Sequence, residues 1–253
     1  MRSHVLNRAV RRAMARDLVA RNGVELADLP RAARQGRPSK SLTPEQVDQI
    51  LTLTAPDPMH AYIVVSLLTG GRTEELRVLR WEHVHLNPAK VRGSVVPPYI
   101  EVWRSVRRSG DTKTRRSRRT LALPGRCVDV LRSHRVSQNA ARLAAGDRWK
   151  DTGLVFTTEV GTAMDSANVR RDFRRALRRV PGLDASAWTP RELRHSFVSV
   201  LSDASVPLEE ISRLVGHSGT AVTELVYRHQ LRPVLQTGAT VMDELFRSDR
   251  REA

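Results

Sequence analysis

Apolar residues along the chain fall mostly at helical spacing, and the punctuation between them is clear. Thr43, Pro44 and Gln46 have the order of a capping hydroxyl, a first-turn proline and a capping-box glutamine, followed by Val47, Ile50 and Leu51 on one face. The run Ala61-Tyr62-Ile63-Val64-Val65-Ser66-Leu67-Leu68-Thr69 fits a buried helix broken at Gly70-Gly71, and Leu76 and Leu79 fit another from Arg72 onward. Between about residues 95 and 123 the pattern changes to strands. Tyr99 to Trp103 and Thr120 to Leu123 flank a Ser109-Gly110-Asp111 turn. A helix is expected from about Arg126, a short strand at Leu154-Val155-Phe156 with a turn at Gly161, and a helix over 169–180 with Phe173, Ala176, Leu177 and Val180 inward.

The last part is helical again. Thr189-Pro190-Arg191-Glu192 is a second capping box, opening a helix with Leu193, Phe197, Val200 and Leu201 on one face. Pro207 starts the next helix, with Leu208, Ile211, Leu214 and Val215 inward, and Gly216 ends it. A third helix begins near Thr220 and carries Tyr227. Val241, Met242, Leu245 and Phe246 make a short amphipathic tail, packed on its own core or docked on a neighbouring molecule. At the other end, residues 3–22 space Val5, Leu6, Ala9, Val10, Ala13 and Leu18 helically among arginines, with Gly23 as the stop. Residues 30–40 (PRAARQGRPSK) are basic and aperiodic and read as a linker. The predicted class is mainly α with a small antiparallel β-sheet.

Charge narrows the function. Lys and Arg number 43 against 27 Asp and Glu, a formal +16 in 253 residues. Such an excess suits a polyanionic partner, because cations placed on phosphates release counterions. The single cysteine, Cys127, excludes an internal disulfide and a cysteine-built zinc site, and reads as a small core residue. No apolar run approaches the roughly 18 residues of a membrane span and no signal peptide is recognisable, so the expected location is the cytoplasm, at the nucleoid. His83 and His85 alternate without a further ligand and read as surface residues rather than a metal site.

Three separated segments carry the candidate chemistry: Thr69-Gly70-Gly71-Arg72-Thr73-Glu74-Glu75-Leu76; Asp111-Thr112-Lys113-Thr114, before a strand ending Leu121-Ala122-Leu123-Pro124; and residues 191–229, with Arg191-Glu192-Leu193-Arg194-His195-Ser196-Phe197, Leu214-Val215-Gly216-His217 and Val226-Tyr227-Arg228-His229. In order and spacing they resemble the boxes of the tyrosine recombinase (phage integrase) family, actinobacterial-type integrases included, over about residues 42–233.

The resemblance implies the catalytic-domain fold of DNA breaking-rejoining enzymes and site-specific recombination through a 3′-phosphotyrosyl intermediate. Tyr227 would be the nucleophile. Arg72 and Arg194 would be the forked cations on the phosphate, His217 a further donor, and Lys113 the general acid to the departing 5′-oxygen. Glu75 would hold an arginine or its helix in place. The family commonly has His or Lys where this chain has Arg191. A guanidinium, protonated throughout the physiological range, can bind phosphate but cannot take the tyrosine proton, and His195 is the alternative base. No metal or nucleotide is required, because the phosphotyrosine stores the bond energy for religation.

The same resemblance divides the chain into residues 1–29, the remnant last helix of a core-binding domain; 30–41, a basic linker; 42–236, the catalytic domain; and 237–253, an amphipathic helix and tail. The expected partner is double-stranded DNA at attachment-type sites, with a homotetramer on DNA in the full-length enzyme and a directionality factor as a further candidate. Arg115, Arg116, Arg170, Arg171, Arg174, Arg175 and Arg178 are the candidate DNA-backbone contacts; a run of like charges on one helix face repels itself unless phosphate neutralises it. Two rival readings are an integrase remnant that only binds DNA and a type IB topoisomerase, which shares the tyrosine chemistry.

Overall fold

The computed structural model describes residues 2–26, 40–91, 94–102 and 119–216. The chain divides into two compact units, Met1–Pro38 and Ser39–Ala253.

In the first unit α1 (Arg2–Met14) stops well short of the expected residue 22. Leu18 N donates to Ala13 O and Asp17 N to Met14 O, both at 3.0 Å, with Asp17 left-handed at φ 53°. This is a Schellman stop in which aspartate takes the position usually held by glycine, helped by its short polar side chain. Gly23 does not end α1; it opens the single turn α2 (Gly23–Leu26). The turns are pinned by the buried Asn22, whose amide donates to Asn7 Oδ1 at 2.6 Å.

The second unit is built around α4 (His60–Thr69), in which every residue from Ala61 to Leu67 is buried, as is Thr69. Burying Ile63, Val64, Val65 and Leu67 contributes about 1.5–3 kcal/mol each as an upper estimate. Around α4 pack α3 (Pro44–Leu53), α5 (Thr73–Leu76), α6 (Gly125–Ala145) and α8 (Pro190–Asp203). Both predicted capping boxes form, Thr43 with Gln46 on α3 and Thr189 with Glu192 on α8. A long-range bond, Leu42 N to Ser196 Oγ at 2.9 Å, ties the start of this unit to α8. Cys127 is fully buried at the start of α6, and desolvation pushes its thiol up to about 12.

The strands among the described residues are all antiparallel. β1 (Val84–His85), β4 (Tyr99–Val102) and β5 (Arg119–Ala122) form one sheet in the order β1-β4-β5, with Ile100 opposite Leu121. β2 (Ala89–Val91) and β3 (Ser94–Val96) form a separate pair. The expected strand at Leu154–Phe156 is reduced to a single bridge, Arg80 to Leu154. Its partner segment turns into a 3-10 helix at Trp81, so the ladder has nowhere to continue.

The helix expected over 169–180 is α7 (Ser166–Leu177), capped by Asp165; Val180 lies beyond its end but is still buried. α9 (Leu208–Val215) ends at a left-handed Gly216, as read from the sequence. Leu214 is exposed, however, because Ile211 and Val215 define the buried stripe and Leu214 sits about 100° round from Val215. The tail at 241–246 and the helix carrying Tyr227 lie outside the described residues.

Candidate active site

The Thr69-Gly70-Gly71-Arg72 segment closes α4 and opens α5. Thr69 Oγ1 donates back to Val65 O at 2.6 Å and Gly70 turns left-handed at φ +64°. A Cβ on Gly70 would lie 2.5 Å from Phe197 Cδ1, so α8 passes directly against this turn. On the same helix, one turn before Phe197, Arg194 uses that closeness: its Nη1 donates to Gly70 O at 2.7 Å, and its Nη2 donates to Val215 O.

Arg72 is the N-cap of α5. Its backbone N–H donates to Glu75 Oε2 at 2.8 Å, its Nη1 to Glu75 Oε1 at 2.7 Å, and its Nη2 to Gly216 O at 3.0 Å. Arg72 and Arg194 therefore hold consecutive carbonyls at the end of α9. Those carbonyls lack helical partners and carry the negative end of the helix dipole, which is where cations are favoured. Two guanidiniums from helices far apart in sequence are thus brought to one helix terminus, and residue 217 follows directly.

Glu75 has a second partner that the sequence reading missed. Arg119, the first residue of β5, grips it in bidentate fashion, Nη1 to Oε1 at 3.1 Å and Nη2 to Oε2 at 2.8 Å. The Glu75 and Arg119 side chains are 2% and 8% exposed. Burial alone would raise the Glu75 pKa; the bonds and charge of Arg119, then the charge of Arg72, outweigh it and hold the carboxylate below its ordinary value. A Cβ on Gly216 would lie 3.0 Å from Arg119 Nη1, so this glycine both ends α9 and leaves room for the guanidinium.

Arg191 is exposed in the first turn of α8. Its charge acts on His195, one turn on. Desolvation first, then Arg191 and more weakly Arg194, against the opposing Glu192, take His195 down to about 4, so its imidazole is neutral at neutral pH. Lys113, Arg115, Arg116, His217 and Tyr227 lie outside the described residues.

The arginines of α7 do not form one uniform face. Arg175 donates to Asp172 at 3.0 Å and to both oxygens of the buried Asp57 at 3.3 Å, and Arg171 pairs with Asp172 at 3.1 Å. Arg174 donates to Trp188 O at 3.1 Å; Arg170 and Arg178 are exposed, and Arg171 and Arg175 are exposed too but turned to these carboxylates. His83, at the end of the 3-10 helix before β1, has Nδ1 3.1 Å from Glu101 Oε2 on β4, and His85 stacks on Tyr99 with ring centroids 4.2 Å apart.

Comparison with known proteins gives a consistent result. The model of the phage integrase family matches residues 40–232. An integrase from Streptomyces ambofaciens is 63% identical over 242 residues, which are 96% of this chain and 62% of that protein. A XerC-like tyrosine recombinase from Caldanaerobacter subterraneus subsp. tengcongensis is 26% identical over 82% of this chain and 54% of its own length. The chain thus spans less than two thirds of these two relatives. Among solved structures, the Tn1549 transposon integrase in complex with transposon right end DNA superposes with a TM-score of 0.69 at 18% identity, covering 96% of this chain and 77% of that one. The XerA recombinase gives 0.60 at 20% identity, over 91% and 72%.

Proposed function

The chain belongs to the phage integrase family, and on that premise we propose that it cleaves and rejoins DNA phosphodiester bonds in site-specific recombination, as a tyrosine recombinase. The observation that carries this reading is the convergence of Arg72 and Arg194 on the last carbonyls of α9, Gly216 and Val215. Guanidiniums fixed in this way are preorganised for the non-bridging oxygens of a phosphate, whose charge grows in the transition state.

In the proposed step Tyr227 Oη attacks phosphorus, the bond from phosphorus to the 5′-oxygen breaks, and Lys113 protonates the departing oxygen. The product is a 3′-phosphotyrosyl link with a free 5′-hydroxyl, and religation runs the same step backwards. Arg191 is proposed as a phosphate contact. The acceptor of the phenolic proton stays open: His195 is uncharged at neutral pH, but with a pKa of about 4 it is a weak base, and the pH profile of cleavage decides whether it serves. His217, next to the carbonyl that Arg72 holds, is the proposed third donor to the phosphate.

The proposed substrate is double-stranded DNA at attachment-type sites, in the cytoplasm, contacted along its backbone by Arg115, Arg116, Arg170, Arg171, Arg174 and Arg178, with Arg175 the weakest candidate of the run because it is turned to Asp57 and Asp172. A homotetramer on DNA and a directionality factor belong to the same proposal for the full-length protein. No helix among the described residues is long and apolar enough to cross a membrane. The test is a nicked suicide duplex carrying the cognate site. A denaturant-stable adduct that disappears in Tyr227→Phe supports recombinase chemistry, while binding without an adduct supports the DNA-binding remnant. Plasmid relaxation over many turnovers would support the topoisomerase reading.

A further inference from the structure

Arg72 is expected to present positive charge to a phosphate, yet its nearest ionic partner is a buried carboxylate. Glu75 lies 2.7 Å from Arg72 Nη1, and its side chain is almost fully excluded from solvent. Taken alone, this pair is neutral, and in a site of low polarity it would offer little net attraction to an anion. Arg119 changes the balance. Its two bonds to Glu75 are bidentate, its guanidinium is nearly as buried as the carboxylate, and it lowers the Glu75 pKa more strongly than Arg72 does. The group of three therefore carries one net positive charge, and the only member among them with substantial exposure is Arg72, at 29%.

We propose that Arg119 is a positioning residue for phosphoryl transfer: it satisfies the Glu75 carboxylate and so leaves Arg72 as an uncompensated cation toward the phosphate. The proposal rests on the reading that Arg72 meets the scissile phosphate. Glu75 then orients Arg72 without cancelling it, which a carboxylate with one cation could not do. Gly216 belongs to the same device, because a side chain there would occupy the space of Arg119 Nη1.

The experiment compares the 253-residue chain with Arg119→Gln, Arg119→Lys and the double variant Arg119→Gln/Glu75→Gln. The substrate is a nicked duplex carrying the site that the chain selects from a random-sequence library. At saturating DNA, Arg119→Gln should slow adduct formation at least tenfold with DNA affinity changed less than twofold. Arg119→Lys should keep part of the rate. The double variant, which regains the net charge, should recover a good part of the loss. A residue important only for packing would instead make the double variant worse than either single one. An Arg119→Gln rate within twofold of wild type, or a double variant no faster than the single, overturns the proposal. Should Arg119→Gln not fold, the comparison moves to the Glu75→Gln background, where removing Arg119 must cost less than threefold. A second readout needs no cleavage: inorganic phosphate should raise the Tm of wild type and double variant, and raise it less for Arg119→Gln. Phosphate dependence of that pattern without any adduct in wild type would uphold the role of Arg119 and reject the recombinase reading; an adduct in wild type with no such pattern would do the reverse.

Discussion

Arg194 Nη1 and Gly70 O are joined at 2.7 Å across 124 positions of sequence. The bond depends on Gly70 being glycine, because φ is +64° there and a Cβ would meet the Phe197 ring at 2.5 Å. Gly70→Ala should therefore cost more than the roughly 1–2 kcal/mol of a left-handed alanine, since the ring must also move. Gly182 provides the control: its φ is +72° and nothing lies within 4 Å of its Cβ position. Gly182→Ala should lose only the backbone amount. Urea unfolding midpoints of the two variants would check this, and equal losses would show that α8 yields without cost.

Tyr227→Phe should bind the selected duplex as tightly as wild type and form no adduct. Excess EDTA should leave the adduct yield of wild type unchanged, because the proposed step needs only side chains. An adduct persisting in Tyr227→Phe would move the nucleophile elsewhere, and Tyr62 is a poor substitute: it is 1% exposed in the first turn of α4, and burial raises its pKa.

How far the sequence could be read follows from what is local. Capping boxes at Thr43 and Thr189 and the Gly70 and Gly216 stops are decided within a few residues, and they appear where the pattern placed them. The strand at Leu154–Phe156 failed because a strand needs a partner, and the partner bends away at Trp81. Arg119 was illegible for a related reason. It ends a run of cations from 104 to 119, and only the closing of β5 beside Gly216, far along the chain, selects it from its neighbours. Arg72, Glu75 and Arg194 were legible through their boxes, although the carbonyls that hold the two arginines were not.

The arginines of α7 should separate into two classes by experiment. Arg170 and Arg178 are exposed, so reversing both to Glu should flatten the dependence of DNA affinity on salt; losing two phosphate contacts would lower the log–log slope by about 2. Arg175 instead satisfies Asp57, whose side chain is 2% exposed. Arg175→Ala should leave the slope nearly unchanged and cost about 1–3 kcal/mol of stability, the usual penalty for a buried polar group losing a partner. A full change of slope on removing Arg175 alone would place that guanidinium on phosphate in the complex.

His195 gives a pH dependence of definite sign. Its pKa falls from an ordinary value of 6.5 to about 4 on folding, chiefly through desolvation and secondly through the charge of Arg191. Between about pH 6.5 and 4 the unfolded chain therefore binds a proton at this position that the native protein does not. Stability contributed by neutral His195 is present above 6.5 and is lost as pH falls toward 4. His195→Gln should flatten the slope of unfolding free energy against pH in that window, over and above the contributions of His60 and His134, which are also lowered by burial first. Arg191→Gln should act through the same group. Removing a neighbouring cation raises the His195 pKa, so its imidazole resonances should titrate at higher pH by NMR, and the stability slope should shrink. If His195 is also the proton acceptor from Tyr227, the acid limb of cleavage rate should rise by the same interval in Arg191→Gln. An imidazole titration that moves while the rate profile stays fixed would keep His195 in the fold and remove it from the chemistry.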